Sequence, residues 1–228
     1  MLLLVDFDGT LVDTLPDIHA QADRVLTEAG FPSVGRDAVA RAIGHGPATL
    51  FGKLAGPEQA ETLAARFNEA YPHHLVDLSR PFPGVVEALE KIDAPKAVVT
   101  NKSQAHTEAI LRRLDLARLF CAVYGAEAFP RRKPDPLPLL EACRLAGVPP
   151  ARAWMIGDGL PDAQAAKAAG CRFGLALWGY GDMAALRALA PDALLNSPAE
   201  LSRALRSRRR SDSTKARAAA RPSRERRS

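Results

Sequence analysis

The chain opens with an apolar run, Leu2–Val5, that ends on two carboxylates in Asp6-Phe7-Asp8-Gly9-Thr10. This order constrains the fold more than any other feature. A short, continuously apolar segment without alternation reads as a strand covered on both faces, the central strand of a parallel sheet. Similar runs follow at Ala97–Val99, Ala122–Tyr124, Ala153–Ile156 and Phe173–Leu177. Helical periods lie between them: Thr107, Ile110, Leu111 and Leu114 form one stripe, and Leu139, Leu140, Cys143 and Ala146 another. Strands alternating with helices predict an α/β chain with a doubly wound parallel sheet.

Residues 15–80 break the alternation. They carry helical stripes (Ile18, Ala22, Val25, Leu26; then Leu63, Phe67, Ala70, Tyr71) and no convincing strand. The prediction is a helical cap inserted at residues 15–80 into a catalytic core of residues 1–14 and 81–205. Its hinges are Asp13–Pro16 and Arg80–Gly84, the second being a Pro-Phe-Pro-Gly run that cannot be helical.

Charge separates a third segment. The 228 residues carry a formal net charge of +5, but residues 206–228 hold ten Lys or Arg against two acids. The tail is thus +8 and the rest −3, so the body is not a basic nucleic-acid-binding domain. The tail's only apolar residues are alanine and proline, and it is expected to be disordered, with weak polyanion contacts at most. Cys121, Cys143 and Cys171 stand singly, which predicts a reducing compartment and small buried side chains. No apolar stretch approaches the ~20 residues of a membrane-spanning helix. A cytoplasmic protein without membrane contact, monomer or homodimer, is expected.

In an open parallel sheet, ligands bind beyond the carboxyl ends of the strands. There the sequence puts Asp6 and Asp8, then Thr100-Asn101-Lys102-Ser103, then Lys133 before Pro134-Asp135-Pro136, then Gly157-Asp158 through Asp162. Asp6, Asp8 and Asp158 are oxygen donors suited to a hard cation such as Mg²⁺, which typically takes a few carboxylates together with substrate phosphate and water. Lys133 supplies a further positive charge, and Thr100 and Asn101 can hydrogen-bond phosphate oxygens. One carboxylate in line with phosphorus can act as nucleophile, and a second can protonate the leaving group and then activate water.

These four segments, in this order, resemble the motifs of the haloacid dehalogenase superfamily over essentially residues 1–205. The resemblance implies a Rossmann-like core, Asp6 as nucleophile and Asp8 as general acid/base, with the Asp8 main-chain carbonyl also touching Mg²⁺. It further implies Thr100 and Asn101 as phosphate ligands, Lys133 as charge neutraliser, Asp158 as metal ligand, and Asp162 as orienter of Lys133 or of the metal shell. Asp8 argues against the dehalogenase branch, which dispenses with the second acid. The β-phosphoglucomutase-like branch commonly has a His ten residues beyond that acid, where this chain has Ile18.

The insert resembles the phosphoglycolate phosphatase group through Asp13-Thr14-Leu15-Pro16-Asp17, Ile43-Gly44-His45-Gly46, Tyr71-Pro72-His73-His74 and Arg80-Pro81-Phe82-Pro83-Gly84. Trp178-Gly179-Tyr180-Gly181 matches beyond the last motif. The resemblance implies Mg²⁺-dependent hydrolysis of a small phosphorylated metabolite, 2-phosphoglycolate first, through an aspartyl-phosphate. The alternatives are a phosphosugar or nucleotide monophosphate phosphatase, then a phosphoglucomutase, or a polyanion-binding accessory protein acting through the tail. His45 and Lys53 are the candidate cap residues for specificity. Gly159 departs from the Ser or Asn common after the metal-binding Asp, and this puts metal affinity in question.

Overall fold

The computed structural model describes residues 1–202 and 205. The expectations for the 206–228 tail lie outside the described residues. In chain order, β1 is Leu2–Val5, β2 Val12–Asp13, α1 Leu15–Glu28, α2 Arg36–Ala42, α3 Pro47–Ala55 and α4 Ala60–Ala70. There follow β3 (Arg80–Pro81), α5 (Val85–Glu90), β4 (Lys96–Val99), α6 (Gln104–Arg113) and β5 (Ala122–Tyr124). The last part runs α7 (Leu137–Leu145), β6 (Ala153–Gly157), α8 (Leu160–Ala169), β7 (Arg172–Ala176), α9 (Met183–Ala188) and β8 (Ala193–Leu195).

Six strands form one sheet in the order β5-β4-β1-β6-β7-β8, with every neighbouring pair parallel. All four residues of β1 are buried because both faces are covered. Leu3 and Val5 join one core with Val98, Ile110 and Trp154, while Leu2 and Leu4 join the other with Leu139, Cys143 and Ala166. The alternation follows from successive side chains pointing to opposite faces. In α8 the inward residues Ala163, Ala165, Ala166 and Ala169 are small enough for the helix to lie close on the sheet.

α1 to α4 lie between β2 and β3 and pack on one another and into the first of these cores. α1 begins where Pro16 can occupy a first-turn position without losing a needed N–H, and its stripe Ile18, Ala22, Val25 and Leu26 is buried. The Asp17 carboxylate is also buried. It accepts bonds from the backbone N–H of Leu78 at 2.9 Å and of Ser79 at 2.8 Å, and from the Ser79 hydroxyl at 2.6 Å.

Several local expectations are corrected. The two joins of the insert pair as an antiparallel ribbon, Val12 with Pro81 and Asp13 with Arg80, too short to leave a sequence period. The strand expected at Phe173–Leu177 is Arg172–Ala176. Arg172 can begin it because its guanidinium lies over the Trp154 ring, 5.7 Å from the centroid. β8 was not foreseen: at the sheet edge only Leu195 of its three residues is buried. Cys143 and Cys171 are buried as expected, but Cys121 is exposed, directly before the edge strand β5. Among the described residues no helix is long and apolar enough to cross a membrane.

Candidate active site

Because β1 is central and flanked by β4 and β6, residues far apart in sequence converge where these three strands end. Asp6 follows β1, Thr100 and Asn101 follow β4, and Asp158 follows β6. Lys133 comes from the loop between β5 and α7, and Asp162 from the first turn of α8. All border one cleft of about 1010 Å³ between the sheet and the helical insert.

The Lys133 ammonium is buried. It donates to Asp6 Oδ1 at 2.9 Å, to the Val99 carbonyl at 2.6 Å and to Asp162 Oδ1 at 2.5 Å. Burial opposes its charge, but Asp162 and Asp6 outweigh that and hold the ammonium above the ordinary lysine range. Asp162 also accepts from the backbone N–H of Gly159 at 3.0 Å. That bond belongs to the main chain, so the glycine at this position keeps it.

One oxygen each from Asp6, Asp158 and Asp162 lie within 4.8 Å of one another. Burial first, then the Asp162 charge, push the Asp6 carboxyl up to about 7 despite the lowering pull of Lys133. Burial and the Asp6 charge likewise push Asp158 up to about 7. Three crowded carboxylates face a single buried ammonium, a charge imbalance that a small hard cation would relieve, and oxygen-only donors suit Mg²⁺. The residues present therefore fit a divalent cation.

Asp8 differs from the sequence expectation. Its carboxylate does not belong to that cluster. Oδ1 accepts from the Thr14 hydroxyl at 2.6 Å and from Lys102 Nζ at 3.1 Å. The side chain borders the cleft but is held apart from the three-carboxylate cluster. Asn101 departs as well. Its side-chain amide donates to two carbonyls, Lys133 O at 2.8 Å and Gly44 O of the insert at 3.0 Å, instead of facing the cleft unpartnered. Thr100 is buried and its hydroxyl accepts from the Lys102 N–H at 3.1 Å.

On the insert side, His45 and Lys53 both border the cleft and are exposed. Partial burial, then the nearby Lys53 charge, holds the His45 imidazole below its ordinary range. His73 is exposed, and His74 is tied to Asp77 at 2.7 Å. Neither borders the cleft.

Several contributors were not singled out in the sequence. The Thr10 hydroxyl donates to Asp158 Oδ1 at 2.7 Å, and the Tyr180 backbone N–H donates to Asp158 Oδ2 at 2.7 Å. The Tyr180 hydroxyl donates to Asp13 Oδ1 at 2.6 Å and accepts from the Leu15 N–H at 3.2 Å, so the residue that secures Asp158 also secures the start of the insert. Glycine is required on this strap: a Cβ at Gly181 would overlap the Asp158 carbonyl oxygen. Gly9 turns the chain after Asp8 at φ +82°, and a Cβ there would collide with the Asp158 carboxylate. Lys102 and Arg132 also border the cleft. The quoted motifs contain Lys102, Tyr180 and both glycines, but nothing in the linear sequence said which partner each one meets.

Comparison with known proteins agrees with this architecture. The family described as haloacid dehalogenase-like hydrolase matches residues 3–176. A Thiobacillus denitrificans protein named phosphoglycolate phosphatase is 38% identical, with 87% of this chain and 92% of that protein covered. An Aquifex aeolicus protein of the same name is 33% identical, covering 88% and 94%. A crystal structure from Haemophilus somnus, described as a predicted phosphoglycolate phosphatase, superposes with a TM-score of 0.84. It is 28% identical over 89% of this chain and 96% of that one.

Proposed function

The chain belongs to the haloacid dehalogenase-like hydrolases and is a phosphatase, and we propose that it hydrolyses 2-phosphoglycolate to glycolate and phosphate with Mg²⁺ as cofactor. The observation that carries this reading is the contact of Lys133 Nζ with Asp6 Oδ1 at 2.9 Å, at the edge of a cluster of three carboxylates. The substrate follows from the names of the relatives together with an insert wall that carries His45 and Lys53, both able to face a carboxylate.

In this reading Asp6 attacks phosphorus through a carboxylate oxygen, and the bond from phosphorus to the glycolate oxygen breaks. Asp8 gives its proton to the departing alkoxide, which leaves as the hydroxyl of glycolate. Water then attacks the phosphorus of the aspartyl-phosphate while Asp8 takes up its proton, and phosphate departs with Asp6 restored. Lys133, the Thr100 hydroxyl and the Asn101 backbone N–H hold the equatorial oxygens, where charge accumulates. Asp162 keeps the Lys133 ammonium aimed at Asp6 and charged. Asp6, Asp158 and the Asp8 main-chain carbonyl would hold the Mg²⁺, which when bound supplies further positive charge against the phosphate oxygens. Residues 1–14 and 81–205 act as the core and residues 15–80 as a cap that excludes water before the aspartyl-phosphate forms. In this reading the protein acts in the cytoplasm, where three free cysteines stay reduced.

A second reading is favoured by the size of the cleft. About 1010 Å³ is ample for a larger ester, so a phosphosugar or nucleotide monophosphate could be a substrate. The test is phosphate release from a panel of phosphomonoesters, with Mg²⁺ and with EDTA, by the native protein and Asp6→Asn. A lead of about a hundredfold in kcat/KM for 2-phosphoglycolate, equivalent to ~2.7 kcal/mol of transition-state discrimination, supports the first reading. A flat profile that still needs Asp6 and Mg²⁺ selects the second. Activity that survives Asp6→Asn would refute the nucleophile.

A further inference from the structure

Lys102 also borders the cleft, and nothing in the mechanism above uses it. Its side chain is 7% exposed. Nζ donates to Asp8 Oδ1 at 3.1 Å, approaches Oδ2 at 3.5 Å, and donates to the Tyr71 hydroxyl at 3.0 Å. Nζ also stands 4.8 Å from the centroid of the Tyr71 ring. Tyr71 belongs to the insert, directly after α4. It is buried, stacks on Phe67 at 4.8 Å and makes a T-shaped contact with the His106 ring at 5.5 Å. Asp8 and Lys102 follow β1 and β4 of the sheet. One ammonium thus links an acid of the core to a tyrosine of the insert.

Two consequences follow from this geometry. Asp8 Oδ1 takes both short bonds, from Thr14 and from Lys102, so Oδ2 is the oxygen left to carry a proton. The direction in which Oδ2 points is fixed through Lys102, and Lys102 in turn is fixed by Tyr71. Without the tyrosine the ammonium loses a hydrogen bond and a ring face, and a flexible four-carbon side chain gains freedom.

We propose that Lys102 is a positioning residue that transmits the seating of Tyr71, and with it of the helical insert, to the Asp8 carboxylate. The proton for the leaving group is then delivered efficiently only when the insert is docked. This inference rests on the reading of Asp8 as the general acid.

The test exploits the leaving group. Loss of a general acid costs most when the departing oxygen is a poor leaving group and least when it departs as a stable anion. kcat/KM reports events up to the first irreversible step, here phosphoryl transfer to Asp6. The full-length protein, with Mg²⁺, is assayed on 2-phosphoglycolate, an alkyl ester, and on p-nitrophenyl phosphate. Asp8→Asn calibrates the assay and is expected to lower kcat/KM for the alkyl ester at least tenfold more than for the aryl ester. Lys102→Met and Tyr71→Phe are expected to show the same asymmetry, about tenfold and about threefold, with Lys102→Arg recovering part of it. Tyr71→Phe keeps the ring on Phe67, so it decides the matter if Lys102→Met fails to fold. If the Lys102 and Tyr71 variants lower both substrates equally, or neither, the proposal is overturned while Asp8 keeps its role. If Asp8→Asn itself shows no asymmetry, the general-acid reading fails and the proposal falls with it.

Discussion

Lys133 Nζ donates to Asp6 Oδ1 at 2.9 Å and to Asp162 Oδ1 at 2.5 Å, and its side chain is 2% exposed. A buried ammonium between two carboxylates cannot be removed without leaving uncompensated charge. Lys133→Met is expected to lower kcat at least a hundredfold, the scale of losing one group that stabilises transition-state charge. It should also destabilise the fold by about 3 kcal/mol, the scale of breaking a buried ion pair. Phosphate release and denaturant unfolding, measured on the same preparations, check both.

The acid cluster makes a prediction about pH. The folded-state carboxyls of Asp6 and Asp158 lie at about 7, against an ordinary value of 3.8. Between those values the folded chain holds more protons than the unfolded chain, so this contribution to stability falls as pH rises from about 4 to about 7. In EDTA, the contribution of these two groups is expected to make the protein melt several degrees higher near pH 5.5 than near pH 7.5. The matched variant Asp158→Asn should reduce that difference. Added Mg²⁺ should raise the melting temperature more at pH 7.5 than at pH 5.5, because the cation competes with protons for the same oxygens. A metal-induced rise independent of pH would contradict the assignment.

Asp17 anchors the far end of the insert. Its buried carboxylate accepts from two backbone N–H groups and the Ser79 hydroxyl, joining the first turn of α1 to the segment that re-enters the core. Asp17→Ala leaves those donors unsatisfied and is expected to cost about 3 kcal/mol. Ser79→Ala, which removes only the hydroxyl, should cost about 1 kcal/mol. Urea unfolding resolves the two.

The Asn101 amide joins core to insert through Gly44 O at 3.0 Å and braces the Lys133 carbonyl at 2.8 Å. Asn101→Ala preserves the backbone N–H and should therefore retain phosphate affinity, read as the Ki of inorganic phosphate, within about threefold. kcat should fall about tenfold as the loop carrying Lys133 loosens, a loss equivalent to ~1.4 kcal/mol. A loss of phosphate affinity larger than the loss of kcat would instead make the side chain itself a phosphate ligand.

Much of this was legible in the sequence, because its signals are short-range. Apolar runs three to five residues long, bounded by turn and helix-start signals, read as strands, and Asp6, Thr100 and Asp158 each follow such a run while Lys133 precedes a helix start. The positions of Asp6, Thr100 and Asp158 at strand ends therefore needed no coordinates, whereas Lys133 stands in the loop between β5 and α7. The parallel order β5-β4-β1-β6-β7-β8 then brings them together. The sequence could not say which atoms meet. Asp6 and Asp8 are two residues apart, so extended backbone alone would aim both at one cation. Gly9 turns the chain instead, and Thr14 and Lys102 take hold of Asp8 while Asp6 stays with Asp158 and Asp162. Lys102 and Tyr71 are 31 positions apart and carry no periodicity that relates them. Their contact exists only because the insert folds back over the end of β4. Local patterning determines which residues stand at strand ends, since that depends on neighbours along the chain. The division of labour among the carboxylates depends on hydrogen bonds donated from distant segments, and only the tertiary structure supplies those.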